Sequence, residues 1–303
     1  MIYIYTETFK LWPRLKRVIK RFVRTGLGGP KGVEQSLLRG LKELGREFAW
    51  NRRPTESGGV ACVLSGVETL KWVIAQKNKD NFSKLLAGPN IVVTPFDHDR
   101  LILSKAIDAY LVPAQWSIDW WTKLAPEMMP ILRVWPAGVE DRGELVNKSG
   151  KILVFQKNAP EELLKFIISN LNKVSENFEV IRYGQYTKDQ YFKLLAQSKG
   201  MIYLSQSESQ GLALHEAWMA GVPTLVWDRG FMTYQNLRFE SPGLSAPYLT
   251  DACGMIFKGS DGFSRGLPEF LSSLDRFHPR PYSLRNFTDK ISAEKLLTII
   301  ESL

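Results

Sequence analysis

Two glutamates, Glu208 and Glu216, lie in a segment that begins as a polar loop and continues with a helical pattern. Gly211 and Leu212 stand between them, so the start of the predicted helix carries little side-chain bulk. The first backbone N–H groups of a helix have no partner within it, and the helix dipole makes that end partly positive. A diphosphate suits such an end, and carboxylates on either side of it suit sugar hydroxyls.

The elements that must position this segment are strands and helices in alternation. A predicted strand ends near Leu204, which places the following loop at the carboxyl edge of a parallel sheet, where ligands of α/β proteins bind. Continuous apolar runs are typical of parallel strands covered on both faces. The predicted strands are "GVACVLSG", "NIVVTPF", "DAYLVPA", "LRVWPAGVE", "KILVFQK", "FEVIRYG", "GMIYLSQ" and "PTLVWD".

The predicted fold class is α/β, with two doubly wound Rossmann-like domains. The chain has 303 residues, more than one hydrophobic core usually serves, and the polar stretch 140–151 separates two arrays of alternating elements. We expect an N-terminal domain over 1–142, a C-terminal domain over 151–280, and a last helical segment, 281–303, that packs back on the N-terminal domain.

The composition is that of an ordinary folded protein, with 44% hydrophobic and 23% charged residues. No apolar run approaches the roughly 20 residues of a membrane span, and the N-terminus lacks the pattern of a signal peptide. Cys62 and Cys253 are the only cysteines and have no zinc-site spacing. We therefore expect a cytoplasmic protein without a metal site.

A net charge of +9 predicts an anionic partner: a phosphorylated molecule, an anionic membrane surface or nucleic acid. The most basic segment, 10–24, has the pattern of an amphipathic helix without acidic residues. Its interpretation stays open between peripheral docking on anionic lipid and packing on its own domain. The basic residues accompany no RNA or DNA motif, so nucleic acid is not expected.

The segment "ESQGLALHEAWMAGVP" resembles the signature of retaining GT-B glycosyltransferases of family 4, the group 1 transferases, with Gln210 in the usual Phe position. Supporting segments follow in the family's order, and the resemblance covers about residues 26 to 260. They are "GGPKGVEQSLLRGLKELG", "IDAYLVPAQWSIDWW", "RVWPAGVE" and "YFKLLAQSKGMIYLSQSE". The resemblance implies a GT-B fold, in which the two domains face a central cleft.

The resemblance also implies roles for single residues. Glu208 would orient the donor sugar as a catalytic residue, and Glu216 would bind the ribose. The remaining donor-binding positions would be Ser209, Gln210, Gly211 and Leu212 in the signature, Gly28 and Gly29 in the N-terminal glycine loop, and Lys157.

The family's diphosphate clamp normally has an Arg and a later Lys. Here Lys157 takes the Arg position and the later Lys is absent, so Arg182 or a basic residue of the N-terminal domain is a candidate for the missing charge. In the N-terminal domain, His98 follows a predicted strand and would be an active-site residue. For His215, within the signature, the sequence favours packing.

The resemblance implies transfer of a sugar from a nucleotide-diphosphate sugar to a glycan, lipid or small-molecule acceptor, with retention of configuration. It implies no cofactor and no metal ion. Two alternatives stay open: a nucleotide-sugar epimerase of GT-B fold, and a non-catalytic partner subunit that binds nucleotide sugars.

Overall fold

The computed structural model describes residues 1–9 and 28–303. The basic segment 10–24, with its two interpretations, lies outside these residues. The described chain forms two compact units, Met1–Gly138 with Asp289–Leu303, and Val139–Thr288. The domain limits predicted at 142 and 280 stay predictions, whereas the compact units divide the chain at 138 and 288.

The first unit is built on a parallel sheet of six strands in the order β2-β1-β3-β4-β5-β6. The strands are β1 (Ile2–Tyr5), β2 (Phe48–Trp50), β3 (Gly59–Ser65), β4 (Phe82–Asn90), β5 (Ala109–Val112) and β6 (Leu132–Val134). The helices are α1 (Gly29–Glu43), α2 (Val67–Lys77), α3 (Gln115–Leu124) and α9 (Asp289–Glu301), with short 3-10 turns at Glu7–Phe9, Leu101–Leu103 and Pro126–Met128.

One predicted strand of this unit is wrong. "NIVVTPF" (90–96) is not a strand, because β4 ends at Asn90 after its buried run Leu85–Ala87. Val93 in the predicted run is 61% exposed, so its apolar side chain does not mark a core position. A run of apolar letters does not show which part of it the sheet covers.

Helix α9 packs closely on α1 within the first unit. A Cβ on Gly40 would lie 2.1 Å from the backbone carbonyl oxygen of Asp289, so only glycine fits there. Arg39 donates from Nε and Nη2 to the Asp289 carboxylate at 2.5 and 3.2 Å. The indole N–H of Trp135 donates to the Ser292 carbonyl at 2.9 Å. The last helix is thus an integral part of the first unit.

The second unit has a five-stranded parallel sheet in the order β13-β10-β9-β7-β8 and a separate antiparallel hairpin, β11-β12. The strands are β7 (Lys151–Gln156), β8 (Phe178–Arg182), β9 (Ser198–Leu204), β10 (Thr224–Trp227), β11 (Phe231–Tyr234), β12 (Leu237–Glu240) and β13 (Gly254–Phe257). The helices are α4 (Glu161–Lys173), α5 (Lys188–Leu195), α6 (Leu212–Met219), α7 (Gly259–Ser272) and α8 (Pro279–Asn286), with a 3-10 turn at Leu274–Arg276.

Both faces of this sheet are buried, which explains the continuous apolar runs. Leu153 and Phe155 of β7 enter the cluster that contains residues of α5 and α6. Ile152 and Val154 enter the cluster on the other face, with residues of α4 and α7. Because successive side chains of a strand point to opposite faces, the four central positions of β7, 152–155, must all be apolar to fill both clusters.

Candidate functional site

The predicted site in the second unit lies at the point where the strand order reverses. From β7 the chain adds β8 on one side and β9 on the other, so the carboxyl ends of β7 and β9 border the crevice where such sheets bind ligands. Lys157 follows β7 directly, and Glu208 lies in the loop after β9. The Lys157 N–H donates to the Leu204 carbonyl at 2.9 Å, which fixes the two strand ends side by side.

Lys157 and Glu208, predicted separately from the sequence, form an ion pair. Lys157 Nζ donates to both carboxylate oxygens of Glu208, at 2.9 and 2.8 Å. Glu208 is 5% exposed, and Lys157 also lies over the Tyr183 ring, with Nζ 4.9 Å from its centroid. The pair therefore brings a cation and a carboxylate, both needed by the predicted chemistry, to one point of the sheet edge.

Tyr203 holds the same carboxylate from below the surface. Its hydroxyl donates to Glu208 Oε1 at 2.7 Å, and its ring stacks on Phe155 inside the core. Burial and the neighbouring Glu208 charge raise the pKa of the Tyr203 hydroxyl well above its ordinary value, so it remains a donor. The sequence does not distinguish Tyr203, because an aromatic residue in an apolar strand gives no signal beyond core packing.

The loop that carries Glu208 is also fixed through its backbone. The Glu208 N–H donates to the Leu244 carbonyl at 2.7 Å. The Ser245 hydroxyl donates to the Ser205 carbonyl at 2.8 Å, and the Asn158 side chain accepts from the Gln206 N–H at 2.6 Å. The position of Glu208 is therefore determined by segments that follow three different strands.

Helix α6 begins directly after Gly211, which has φ 83° and ψ 56°. This left-handed conformation strains any residue with a Cβ, and a Cβ there would also lie 3.1 Å from Leu214 Cδ1. The glycine is thus required by the backbone itself, in addition to the room for a ligand that the sequence suggested. Leu212, the first helical residue, is half-buried, and Ser209 is exposed.

Glu216 lies on α6 and pairs with a lysine that the sequence analysis did not single out. Lys188 Nζ, at the start of α5, is 3.0 Å from Glu216 Oε1, and both side chains are largely buried. Burial raises the pKa of Glu216 above its ordinary value, although Lys188 and Arg142 oppose the change. No spacing rule links residues 188 and 216, because their contact arises only when α5 and α6 pack on the same face of the sheet.

Gln210, which replaces the aromatic residue of the signature, is buried against the core. Its side-chain nitrogen lies 3.3 Å from His215 Nδ1. The His215 ring stacks on Trp218 and contacts Phe287, with centroids 5.3 and 4.1 Å apart. His215 therefore packs among aromatic rings. The donor-binding role predicted for Gln210 stays a prediction.

Arg182, one candidate for the second cation of the diphosphate clamp, binds other side chains of the second unit. It donates to both carboxylate oxygens of Glu161, at 3.1 and 2.9 Å, and to the Gln156 side chain. The cations that act on Glu216 of the signature helix are Lys188 and Arg142. In the described part of the chain, no three His, Cys, Asp or Glu side chains are grouped so that they would hold a metal ion.

The other predicted residues lie in the first unit. Gly28 is exposed and Gly29 begins α1. His98 is exposed, with φ 53°, in the turn Asp97–Arg100 that follows β4. Burial raises the pKa of Asp97, but hydrogen bonds from Thr94 and Val93 outweigh it, so the pKa lies below its ordinary value. These bonds hold the turn locally, and a role for His98 stays a prediction.

Solved structures identify the class to which this fold belongs, although no family model and no curated protein sequence matches the chain. The chain is similar to the apo form of WaaB, a lipopolysaccharide outer core galactosyltransferase, with TM-score 0.62, 10% identity and 99% of each chain covered. It is similar to sucrose-phosphate synthase from Thermosynechococcus elongatus, with TM-score 0.61, 10% identity, and 99% of this chain and 98% of that chain covered.

A third similar structure is WaaG, described as a glycosyltransferase involved in lipopolysaccharide biosynthesis, with TM-score 0.54, 12% identity and 99% of each chain covered. The predicted α/β fold of GT-B type is confirmed by these similarities. At such low identities they show the fold alone. Among the described residues, no helix combines the length and the apolar character that crossing a membrane requires.

Proposed function

We propose that this chain is a glycosyltransferase that moves a sugar from a nucleotide-diphosphate sugar to an acceptor, with retention of configuration. The observation that supports it is the arrangement at the switch point of the second unit. Glu208 and Glu216 lie on either side of the start of α6, and each is paired with a lysine. The similarity to solved glycosyltransferases supports the reaction class, and the signature supports retention.

Lys157 and the start of α6 would bind the diphosphate. The first N–H groups of the helix and the ammonium group supply positive charge where the leaving phosphate gains negative charge. Lys157 has three N–H donors, and its Nζ donates to both carboxylate oxygens of Glu208. Diphosphate binding would therefore loosen the Lys157–Glu208 pair and free Glu208 for the hydroxyls of the sugar.

Glu216 would bind the ribose hydroxyls, with Lys188 keeping its carboxylate ionised. A buried carboxylate with a raised pKa needs a neighbouring cation to remain a strong acceptor at neutral pH. The Lys188 Nζ, 3.0 Å from Glu216, provides it.

In the proposed reaction the acceptor attacks the sugar from the face that the phosphate leaves, and the departing phosphate takes up the acceptor proton. Glu208 orients the donor and acts neither as base nor as nucleophile. The scheme gives no role to a metal ion or cofactor. Full activity in excess chelator is the corresponding test, and loss of activity that Mg²⁺ or Mn²⁺ restores would contradict it.

A panel of nucleotide sugars tests the proposal most directly. We expect one nucleotide sugar to raise the melting temperature, and mass spectrometry to detect its sugar on an acceptor. Glu216→Ala should weaken this binding, while Glu162→Ala, an exposed acid on α4, serves as the matched control. Unchanged affinity of Glu216→Ala for every nucleotide sugar would contradict the ribose assignment. Conversion of the donor without acceptor would identify an epimerase, and binding without turnover a partner subunit.

Docking on an anionic membrane through residues 10–24 is a separate proposal that rests on the sequence. Flotation with liposomes that contain anionic lipid should carry the protein upward, and neutral liposomes should not. Equal behaviour with both liposomes would favour a segment packed on its own domain.

A further inference from the structure

The second unit carries a hairpin at the same sheet edge as Glu208. After β10 the chain passes Asp228, Arg229 and Gly230 and then forms the antiparallel strands β11 and β12. β10 is the direct neighbour of β9. The hairpin base, defined here as residues 228–231, therefore begins beside the loop that carries Glu208.

Two arginines lie against one aromatic ring of this hairpin. The guanidinium carbon of Arg229 is 4.4 Å from the centroid of Phe231, and that of Arg238 is 3.8 Å from it. Arg229 also faces Trp227, at 6.0 Å. Contacts with aromatic faces orient the planar guanidinium groups while leaving their N–H edges available.

The charge of Arg229 is not compensated within the described part of the chain. Its side chain has no hydrogen bond or ion pair there, and its Nε is buried without an acceptor. Burial and the neighbouring Arg238 lower the pKa of Arg229. An arginine remains protonated even so, which leaves a partly buried cation beside a second one.

Lys258 adds a third cation close to Gly230. Its Nζ lies 3.6 Å from the point that a Cβ on Gly230 would occupy. The nearby acids do not neutralise the group. Asp228 is buried and accepts from the Gly230 and Gly243 N–H groups, at 3.1 and 2.8 Å. Glu240 pairs with Arg238 at 2.8 Å, but both side chains are exposed, where such pairs contribute little.

We propose that Arg229, Arg238 and Lys258 form an anion-binding site for a phosphate or carboxylate group of a substrate, separate from the group that Lys157 would hold. Guanidinium forks match the paired oxygens of these anions. The hairpin base is joined to the Glu208 loop through Asp228, which accepts from Gly243, and through Leu244, whose carbonyl accepts from the Glu208 N–H at 2.7 Å. An anionic substrate group bound there would lie beside the loop that carries Glu208.

Calorimetric titration with inorganic phosphate and with acetate, at about 50 mM salt where screening is weak, tests the site without any nucleotide sugar. We expect binding of at least one of the two anions. Arg229→Gln should weaken it about tenfold, as loss of a charged hydrogen-bonding partner does. Arg238→Gln changes an exposed side chain and leaves the core untouched, and it should also weaken anion binding.

The matched control is Arg265→Gln, an exposed arginine on α7, which should leave anion binding unchanged. Lys157→Gln distinguishes the two sources of phosphate binding, because Lys157 would itself hold a phosphate. The phosphate that this variant still binds should be held by the arginines, and adding Arg229→Gln should weaken that binding about tenfold. Absence of binding to the natural chain, binding by the Arg229 and Arg238 variants as tight as by the natural chain, or complete loss of anion binding in Lys157→Gln would overturn the proposal. Because nucleotide sugars are absent, failure here does not bear on the proposed transferase reaction.

Discussion

The two units carry their predicted site residues in different ways. In the second unit, Glu208 and Glu216 are largely buried, and each is paired with a lysine from another element. In the first unit, His98 is exposed in a turn that local bonds to Asp97 hold. In the second unit, ion pairs between residues far apart in the sequence thus hold the charged side chains. In the first unit, the His98 side chain is exposed to solvent.

This difference fits the proposed function if the two units have different tasks. Buried and paired carboxylates are preorganised, since their hydrogen-bond partners fix them before a ligand arrives. An exposed residue in a short turn can adapt to different ligands, because few contacts oppose its movement. We therefore expect the second unit to determine the donor and the first unit to meet the acceptor.

The largest test of this comparison is Glu208→Gln. The change keeps the shape but removes the charge that Lys157 and Tyr203 hold, so we expect transfer activity to fall by about 100-fold. Circular dichroism should show an intact fold, and Glu162→Gln should retain full activity. Activity within threefold of the natural chain would show that the paired carboxylate is structural.

Glu216→Gln should weaken nucleotide binding about tenfold, because hydrogen bonds to a charged acceptor are stronger than those to a neutral one.

The same variant should also change how the unfolding free energy depends on pH. Because the pKa of Glu216 is raised in the folded state, its carboxyl stays protonated to a higher pH there than in the unfolded state, where it ionises near pH 4.5. As pH rises from 4 through the raised pKa, the unfolding free energy of the natural chain should therefore fall relative to that of Glu216→Gln.

Denaturant titrations at several pH values measure this difference. A constant difference between the two proteins from pH 4 to pH 8 would contradict a raised pKa. Calorimetry with the preferred nucleotide gives the affinity, and equal affinities would separate Glu216 from the donor site.

Gly211→Ala tests whether the left-handed backbone conformation between the two glutamates requires glycine. We expect a loss of about 1–2 kcal/mol in unfolding free energy, because alanine is strained in the left-handed region. Gly259→Ala is the matched control, since its φ is +61° and no atom lies within 4 Å of the added Cβ. The Gly211 variant should lose more stability and also donor affinity, and equal losses in the two variants would show that crowding at α6 is unimportant.

His98→Gln should have the smallest effect, a decrease in kcat/KM of about threefold or less, because the side chain is exposed and its turn is held by Asp97. Steady-state kinetics with varied acceptor would reveal it. A decrease beyond about tenfold, about 1.4 kcal/mol, would place His98 at the reaction centre and make the two units more alike than we propose.

Much of the second unit could be predicted because local patterns determine it. Its strands β7 to β10 lie where the apolar runs placed them, since a sheet covered on both faces requires such runs. Glu208 could be named from the signature and Lys157 from the family's diphosphate clamp. Their mutual ion pair could not, because it depends on the register of β7 beside β9.

The remaining contacts were hidden for the same reason. Lys188 meets Glu216 only through packing of two helices. Arg229 and Arg238 contact the same Phe231 ring only because β11 folds back on β12. In the first unit, "NIVVTPF" looked like a strand because its letters are apolar, but neighbouring strands cover only the preceding run. Patterns along the chain identify the elements, whereas contacts between distant residues decide which side chains meet.

The path of the chain through α9 has a consequence for how the protein can be divided. The second unit is one continuous segment, Val139–Thr288, inserted into a first unit that needs both ends of the polypeptide. Val139 and Thr288 pair as a short parallel bridge, so the two ends of the insert are neighbours. We therefore expect a gene fragment for the insert alone to encode a folding module, and we expect the host module to form when residue 138 is joined to residue 289 by a short linker.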